Sequence, residues 1–340
     1  MIDPIILVRK NILELSPYST ARDEYDGPLG IYLDANESPY NNDYNRYPDP
    51  HQRILKERLS QIKGAPAENI FIGNGSDEPI DLAFRVFCEP GKDNAVSIAP
   101  TYGMYKVAAA INNIEMREVR LREDFSLDVP ALLAATDEHT KLLFICSPNN
   151  PTGNSFPAAE IEQIIQAFNG IVVLDEAYID FSEHPGFLSR LADFPNLIIL
   201  QTLSKAWGMA GLRIGLAFAR KDIIAILSQV KYPYNINIVA QRIALEQLEK
   251  KRQEQIAEIR NQRKWTEKEL AGIPLVKHIY PSDANFLLVR VEDPHRIYHK
   301  LIGERIIVRD RSKVPGCKDC LRITIGTQEE NKRMIEAFNT

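Results

Sequence analysis

The side chains with the most chemistry in this sequence are Lys205 and Arg213, in the stretch NLIILQTLSKAWGMAGLRIG from residue 196 to residue 215. The apolar run 197–200 has the length and branching of a buried strand, and it stops at the polar cluster Gln201, Thr202, Ser204 and Lys205. A lysine at the mouth of a sheet can condense with an aldehyde through its neutral amine. Arg213 follows beside Gly211 and Gly215, where backbone can approach a ligand and a fork-shaped guanidinium can hold phosphate. Taken alone, Lys205 reads more readily as a solvated loop lysine, so the chemistry depends on what the other strand ends carry.

Four other strand ends carry unusual choices for ordinary turns. After an expected strand at 69–72 comes GNGSDEP (73–79), a turn containing Gly75, Ser76 and Asp77 that enters a helix whose free N–H groups and dipole suit a phosphate. A plain capped helix has the same pattern. After 95–98 comes APTY, which places Tyr102 where it can stack on a flat ring or simply pack. After 141–146 comes SPNNPTG (147–153), where Asn150, held by Pro151, can donate to a fixed acceptor. After 171–174 come Asp175 and, three residues on, Tyr178. A carboxylate at the end of a buried strand is costly without a partner. A pyridine nitrogen is such a partner, kept protonated by ionised Asp175, with Tyr178 on the ring oxygen.

Behind these residues an alternating pattern must supply the scaffold. Residues 1–45 read as irregular, and a helix is expected from an Asp49 cap and Pro50 to Gly64. Strands are then expected at 69–72, 95–98, 141–146, 171–174, 197–200 and 212–219, with helices at 77–88, 102–111 and 157–168. This is an α/β class, a mainly parallel sheet covered by helices on both faces, with ligands at the carboxyl ends of its strands. From 236 to 270 a charge-laced pattern reads as one or two exposed helices bridging lobes. Short strands at 285–291, 305–308 and 321–325, and a helix opened by the capping box from Thr327 to Glu330, make a smaller α+β lobe. The expected division is a large domain over 46–255 and a small substrate-closing domain formed by 1–45 and 256–340.

Composition sets outer limits. The 340 residues can bury a large core in two lobes, and 41 Lys+Arg against 46 Asp+Glu leave a net charge of -5, which points away from a nucleic-acid partner. No stretch approaches the length of a membrane span, and the apolar run ahead of Arg9 and Lys10 is too short for a secretion signal, so the expectation is a cytoplasmic protein. Cys88 and Cys146 stand apart, and the C-x-x-C of Cys317 and Cys320 lacks a second pair to complete a zinc site. His295 and His299 read as an exposed helix face, and no metal is expected.

The set Tyr102, SPNNPTG (147–153), DEAY (175–178), TLSK (202–205) and GLRIG (211–215), in this order over essentially the whole chain, resembles the pyridoxal-phosphate-dependent aminotransferases of fold type I. The resemblance implies that fold, pyridoxal 5'-phosphate as cofactor, and Lys205 as the Schiff-base lysine. It implies Asp175 on the pyridinium nitrogen, Tyr178 and Asn150 on the 3-oxygen, and Tyr102 stacked on the ring. Gly75, Ser76, Asp77, Thr202, Ser204 and Arg213 would surround the phosphate.

Within that family LDANESP (33–39), RYPDP (46–50), VRD (308–310), CLRITIG (320–326) and PYSTAR (17–22) resemble the branch that acts on histidinol phosphate. That implies transamination between histidinol phosphate or imidazole acetol phosphate and glutamate or 2-oxoglutarate, in histidine biosynthesis. It also implies a homodimer in which Tyr47 reaches the cofactor phosphate of the neighbouring subunit, with Tyr18, Asn36, Arg309 and Arg322 at the substrate. Histidinol phosphate has a phosphate and no α-carboxylate, whereas glutamate has two carboxylates, so one anion site must serve both, as guanidinium forks can. Strand alternation points Arg322 away from Leu321 and Ile323, toward either the site or solvent. The Lys205 amine is expected to move a proton between the substrate carbon and the cofactor in a ping-pong cycle. Decarboxylation of threonine phosphate and broad aromatic transamination stay open on the same residues. A DNA-binding regulator with a domain of this kind would need a module for which the first 45 residues are read as too few.

Overall fold

The strand ends singled out above meet along one rim of a seven-stranded sheet in the computed structural model, which describes residues 2–18, 20, 30–250 and 252–339. Its strands are β1 (Ile70–Asn74), β2 (Asn94–Ala99), β3 (Glu115–Arg120), β4 (Thr140–Cys146), β5 (Ile171–Asp175), β6 (Leu197–Thr202) and β7 (Ile214–Phe218), in the order β1-β7-β6-β5-β4-β2-β3. All neighbours pair in parallel except β7, which is antiparallel to both β1 and β6. The reversal matters for the site, because it brings the residue before β7, Arg213, to the same rim as the residues after the other strands.

The central strands are continuous apolar runs because both of their faces are covered. Phe144, Ile198 and Leu200 pack on one face with Phe71 and Phe84. Leu143, Leu174 and Ile199 pack on the other with Ile72 and Phe218. Strand β3, sequence EMREVR, went unpredicted because it is a half-exposed edge whose polar side chains hide the period, while β2 supplies its ladder. Val8 and Ile12 join the first of these clusters, and the Arg9 N–H bonds the carbonyl of Val86 in a covering helix at 2.9 Å, so residues 4–13 belong with the large sheet's core, whereas the expected division grouped 1–45 with the small lobe.

The helix expected from Pro50 begins later, at Arg53, and runs to Lys63. Gln52 is left-handed (φ 50°), and Asp49 caps across it, its Oδ2 accepting the Arg53 N–H at 2.7 Å. The charge-laced stretch resolves into helices Ile238–Leu248 and Gln253–Ala271, and it is not wholly solvated. Arg263 is buried and donates to the Ala284 carbonyl at 2.6 Å, so a charged residue there reads as surface but serves as a brace between helix and sheet.

A second, antiparallel sheet has the order β10-β11-β9-β8, from β8 (Val276–Ile279), β9 (Phe286–Val291), β10 (Arg309–Asp310) and β11 (Cys320–Thr324). Leu287, Val289, Leu321 and Ile323 pack there with Leu301 and Phe338 of the covering helices. The strand expected at 305–308 is displaced to Arg309–Asp310. Arg305 leaves the preceding helix in the left-handed region (φ 60°) and Ile306 N–H still bonds the Leu301 carbonyl at 2.8 Å, so pairing starts only beyond Val308. The capping box at Thr327 forms as expected, with Glu330 Oε2 accepting the Thr327 N–H at 2.7 Å. The two sheets are stitched together where Asp283 N–H donates to the Gly153 carbonyl at 2.8 Å.

Beside Asp175, Glu176 turns to the opposite side of the sheet and anchors the following loop. Its Oε1 accepts the Phe187 N–H at 2.6 Å and its Oε2 accepts from Gln201 Nε2 at 3.0 Å. Burial pushes this carboxyl from 4.5 up to about 7. A carboxyl raised on folding adds stability that is complete below its unfolded value and is lost as pH climbs through the folded one. Stability is therefore expected to fall between pH 4.5 and about 7. In Glu176→Gln the amide keeps the Phe187 bond and can donate to Gln201 Oε1, which is otherwise buried without a partner among the described residues. Urea unfolding of the variant is expected to lose that slope and to exceed the parent by roughly 1–3 kcal/mol above neutrality. An unchanged slope would refute this account of Glu176.

Candidate active site

A cleft of about 900 Å³ opens along the rim, between the carboxyl ends of β2, β4, β5 and β6 and the face of β10 and β11. Ser76, Asp77, Tyr102, Asn150, Asp175, Tyr178, Thr202, Ser204, Lys205, Arg213, Arg309 and Arg322 all line it. Tyr18, Asn36 and Tyr47 do not. Tyr18 is 75% exposed, Asn36 is exposed with φ 55°, and Tyr47 stacks on Tyr234 at 4.3 Å, away from the cleft. Ser19, Ala21 and Arg22 of the 17–22 motif lie outside the described residues. An adjoining hollow of about 980 Å³, lined by His278, Tyr280 and Arg290, holds none of these residues and shares with the cleft only the wall of Ala99, Pro100, Arg120 and Pro315.

One end of the cleft is an anion cradle. Gly75 (φ 73°) donates its N–H to the Arg213 carbonyl at 2.7 Å, and a Cβ built on it would stand 2.3 Å from Arg213 Nη2. A Cβ on Gly215 would stand 2.1 Å from the Ser76 nitrogen. Glycine at both positions lets the turn at Gly75 cross closely over the start of β7 at the amino end of helix Asp77–Phe87, where N–H groups and dipole favour negative charge. Arg213 Nη2 reaches Asp77 Oδ2 at 3.4 Å, and Tyr102 O–H donates to Asp77 Oδ1 at 3.0 Å, so Asp77 ties the arginine to the aromatic wall. Thr202 Oγ1 accepts the Ser204 N–H at 3.1 Å and shapes the turn that presents the serine.

At the floor, Asp175 is 3% exposed. Its Oδ1 accepts the Ala177 N–H at 3.0 Å and its Oδ2 accepts the Tyr105 O–H at 2.6 Å. Burial pushes its proton affinity up, and these two donors oppose that. Tyr105 is a residue the sequence reading missed. It lies three positions after Tyr102 on helix Met104–Ile111, stacked on Phe144 at 4.8 Å, and only the rule that a buried phenol finds a partner could have flagged it.

Lys205 Nζ stands 5.7 Å from the centre of the Tyr178 ring. The side chain opens to the cleft yet its walls crowd the amine, and this desolvation, followed by the charge of Arg322, holds it below the ordinary lysine value. The Tyr178 hydroxyl has no hydrogen-bond partner among the described residues, and its ring is set edge-on by Phe286 at 5.2 Å. Arg322 faces the cleft and not solvent. Its Nη1 bonds Asn150 Oδ1, and its guanidinium lies over Phe286 at 5.3 Å. Arg309 is its direct cross-strand partner. Arg311, absent from the sequence reading, lines the same cleft.

No described helix is long and apolar enough to cross a membrane, and no group of three or more His, Cys, Asp or Glu among the described residues is arranged to hold a metal ion. The family described as "Aminotransferase class I and II" matches residues 30–338. The chain is 54% identical to a histidinol-phosphate aminotransferase of Parabacteroides distasonis, over 98% of this chain and 97% of that one. It is 53% identical to a protein of the same name from Bacteroides thetaiotaomicron, over 98% and 97%. The crystal structure of the histidinol-phosphate aminotransferase from Clostridium acetobutylicum matches with a TM-score of 0.81 at 25% identity, covering 87% of this chain and 90% of that one. The fold is shared as well with a histidinol-phosphate aminotransferase from Sinorhizobium meliloti in complex with pyridoxal-5'-phosphate, at a TM-score of 0.80, 24% identity, and 97% and 96% coverage.

Proposed function

Because the chain belongs to the class I and II aminotransferase family, we propose that its cleft binds pyridoxal 5'-phosphate and transfers an amino group between histidinol phosphate and 2-oxoglutarate, a step of histidine biosynthesis. The observation that carries the reading is the placement of the one cleft amine, Lys205, between the buried carboxylate of Asp175 and the guanidinium of Arg322. The first is the partner of a cationic ring, and the second the partner of an anionic substrate.

The residues present fit the cofactor. A buried carboxylate held by two donors, a phenol without a partner among the described residues and an anion cradle closed by glycine match its ring nitrogen, ring oxygen and phosphate. When bound, the cofactor supplies an aldehyde that takes up amines and a cationic ring that accepts electrons. Asp175 would keep the ring nitrogen protonated, and Tyr105 and the Ala177 N–H fix the angle of its carboxylate. Tyr178 and Asn150 would donate to the ring oxygen. Ser204, Arg213 and the backbone N–H groups of Ser76 and Asp77 would hold the phosphate, with Tyr102 against the ring, while the Gly75 N–H, expected at the phosphate, is taken by the Arg213 carbonyl and fixes the turn instead. Lys205, whose lowered proton affinity makes the neutral amine accessible, would carry the proton between the substrate carbon and the cofactor, a role worth about 10²–10⁴ in rate. Arg322 and Arg309 would hold the phosphate of one substrate and a carboxylate of the other. The second sheet, which carries these arginines, would act as the substrate-closing lobe.

The reading extends to a homodimer. Ile31 and Leu33 are 92% and 89% exposed, with Tyr40 and Tyr44 exposed beside them in sequence, and exposed apolar side chains gathered in one segment suit coverage by a second copy. Tyr47 would then reach the partner's cofactor phosphate, and Tyr18 and Asn36 the substrate. Light scattering is expected to give twice the 38.6 kDa of one chain, and a monomer at assay concentration would contradict it. For the reaction itself, glutamate formation from histidinol phosphate and 2-oxoglutarate is the test. Carbon dioxide from O-phosphothreonine, or turnover of phenylalanine with none of histidinol phosphate, would overturn the substrate assignment.

A further inference from the structure

We propose that Arg311 is the third guanidinium of the anion site and sets its preference for a phosphate monoester over a carboxylate, an inference that rests on the substrate reading above. The sheet register puts it there. Arg309 lies opposite Arg322 across β10 and β11, and the Arg311 N–H continues that ladder to the Cys320 carbonyl at 2.9 Å. Residues two apart on a strand share a face, as do direct cross-strand partners, so Arg309, Arg311 and Arg322 project together. All three line the cleft.

The cluster is electrically incomplete. Burial and then Arg309 lower the proton affinity of Arg311, and burial and then Arg311 lower that of Arg322. None of the three forms an ion pair with a carboxylate among the described residues, and the Nε atoms of Arg311 and Arg322 are buried without a partner. Like charges packed together with unpaired donors are costly, and a fold that keeps them does so for an anion it does not itself supply. The count of charges and oxygens then discriminates. A carboxylate offers two oxygens and is satisfied by a single fork. A phosphate monoester carries nearly two charges and three terminal oxygens at neutral pH, enough to engage a third guanidinium. Arg311 therefore acts on the phosphorylated substrate and is nearly silent toward glutamate.

The test uses the holoenzyme with Arg311→Met and Arg311→Lys. In Arg311→Met the KM for histidinol phosphate is expected to rise about 10- to 100-fold, the loss of a charge-assisted bond, while kcat and the KM for glutamate move less than about 3-fold. The inhibition constant of inorganic phosphate against histidinol phosphate rises by a similar factor. Lysine restores charge without the fork and recovers part of both. An equal rise for glutamate, or no rise for histidinol phosphate, overturns the proposal. Should the parent enzyme react with glutamate but not with histidinol phosphate, the substrate reading itself fails. Inorganic phosphate competing against glutamate then decides Arg311, and equal inhibition of parent and Arg311→Met overturns its role.

Discussion

Lys205→Ala is expected to lower amino-group transfer by at least about 10⁴-fold, the upper range for losing a positioned general acid and base, and to lose the covalent hold on the cofactor as well. Among the residues lining the cleft, Lys205 carries the one amine, and no histidine lines it to substitute as a base. Its Nζ makes no hydrogen bond within the described residues and its side chain opens to the cleft, so the fold should tolerate truncation within about 0.5 kcal/mol. The loss would therefore be chemical and not structural. Steady-state rates give the first readout. Borohydride trapping and peptide mapping give the second, with the cofactor expected on the peptide containing Lys205 in the parent and on none in the variant. A variant that keeps more than about a hundredth of the parent rate, beyond the reach of the acid–base term, would contradict the role.

Asp175→Asn is expected to cost about 3–5 kcal/mol, the scale of breaking a buried charge pair, or roughly 10²–10⁴ in kcat/KM. The substitution is close to isosteric. Its amide oxygen can still accept the Ala177 N–H, now bonded at 3.0 Å, and Tyr105 can turn its hydroxyl to accept from the new NH₂ group. What disappears is the charge opposite the ring nitrogen. In the protein alone, burial raises the proton affinity of Asp175, and a cation against it reverses that push. The variant should therefore bind cofactor more weakly as well as turn over more slowly. Activity within about 10-fold of the parent would place the electron-accepting role elsewhere.

Much of this site was legible in the sequence because each residue stands at a strand end, and apolar runs bounded by polar turns mark strand ends well. Asp175 after IVVL and Lys205 after LIIL needed only the strand period and the cost of burying charge. Arg213 also needed its strand to run against the others, which no local pattern reveals, and Arg322 needed the second sheet to face the cleft and not solvent. The missed residues were hidden for similar reasons. Tyr105 looks like a core aromatic until its hydroxyl is seen on Asp175, and Arg311 sits just beyond a two-residue strand displaced from its expected place by the left-handed turn at Arg305. The edge strand Glu115–Arg120 and the buried Arg263 were masked by charge, since a polar residue braced against backbone has the same letter as one in water. Tyr18, Asn36 and Tyr47 were named through resemblance alone. In the described chain they lie away from the cleft, and nothing local in their segments points to it.

The account stands most directly on a single-turnover comparison of histidinol phosphate with histidinol, each mixed with the holoenzyme without 2-oxoglutarate while the visible absorbance of the cofactor is followed. Both carry the amine that Lys205 would deprotonate at the adjacent carbon, and only one carries the anion that the arginines would hold. Full conversion by histidinol phosphate, at least about 10²-fold more efficient than by histidinol, is the predicted result, because the site's guanidinium groups are left unpaired by the second. Equal efficiency for the two, or no spectral change with histidinol phosphate where another amine does react, would contradict it.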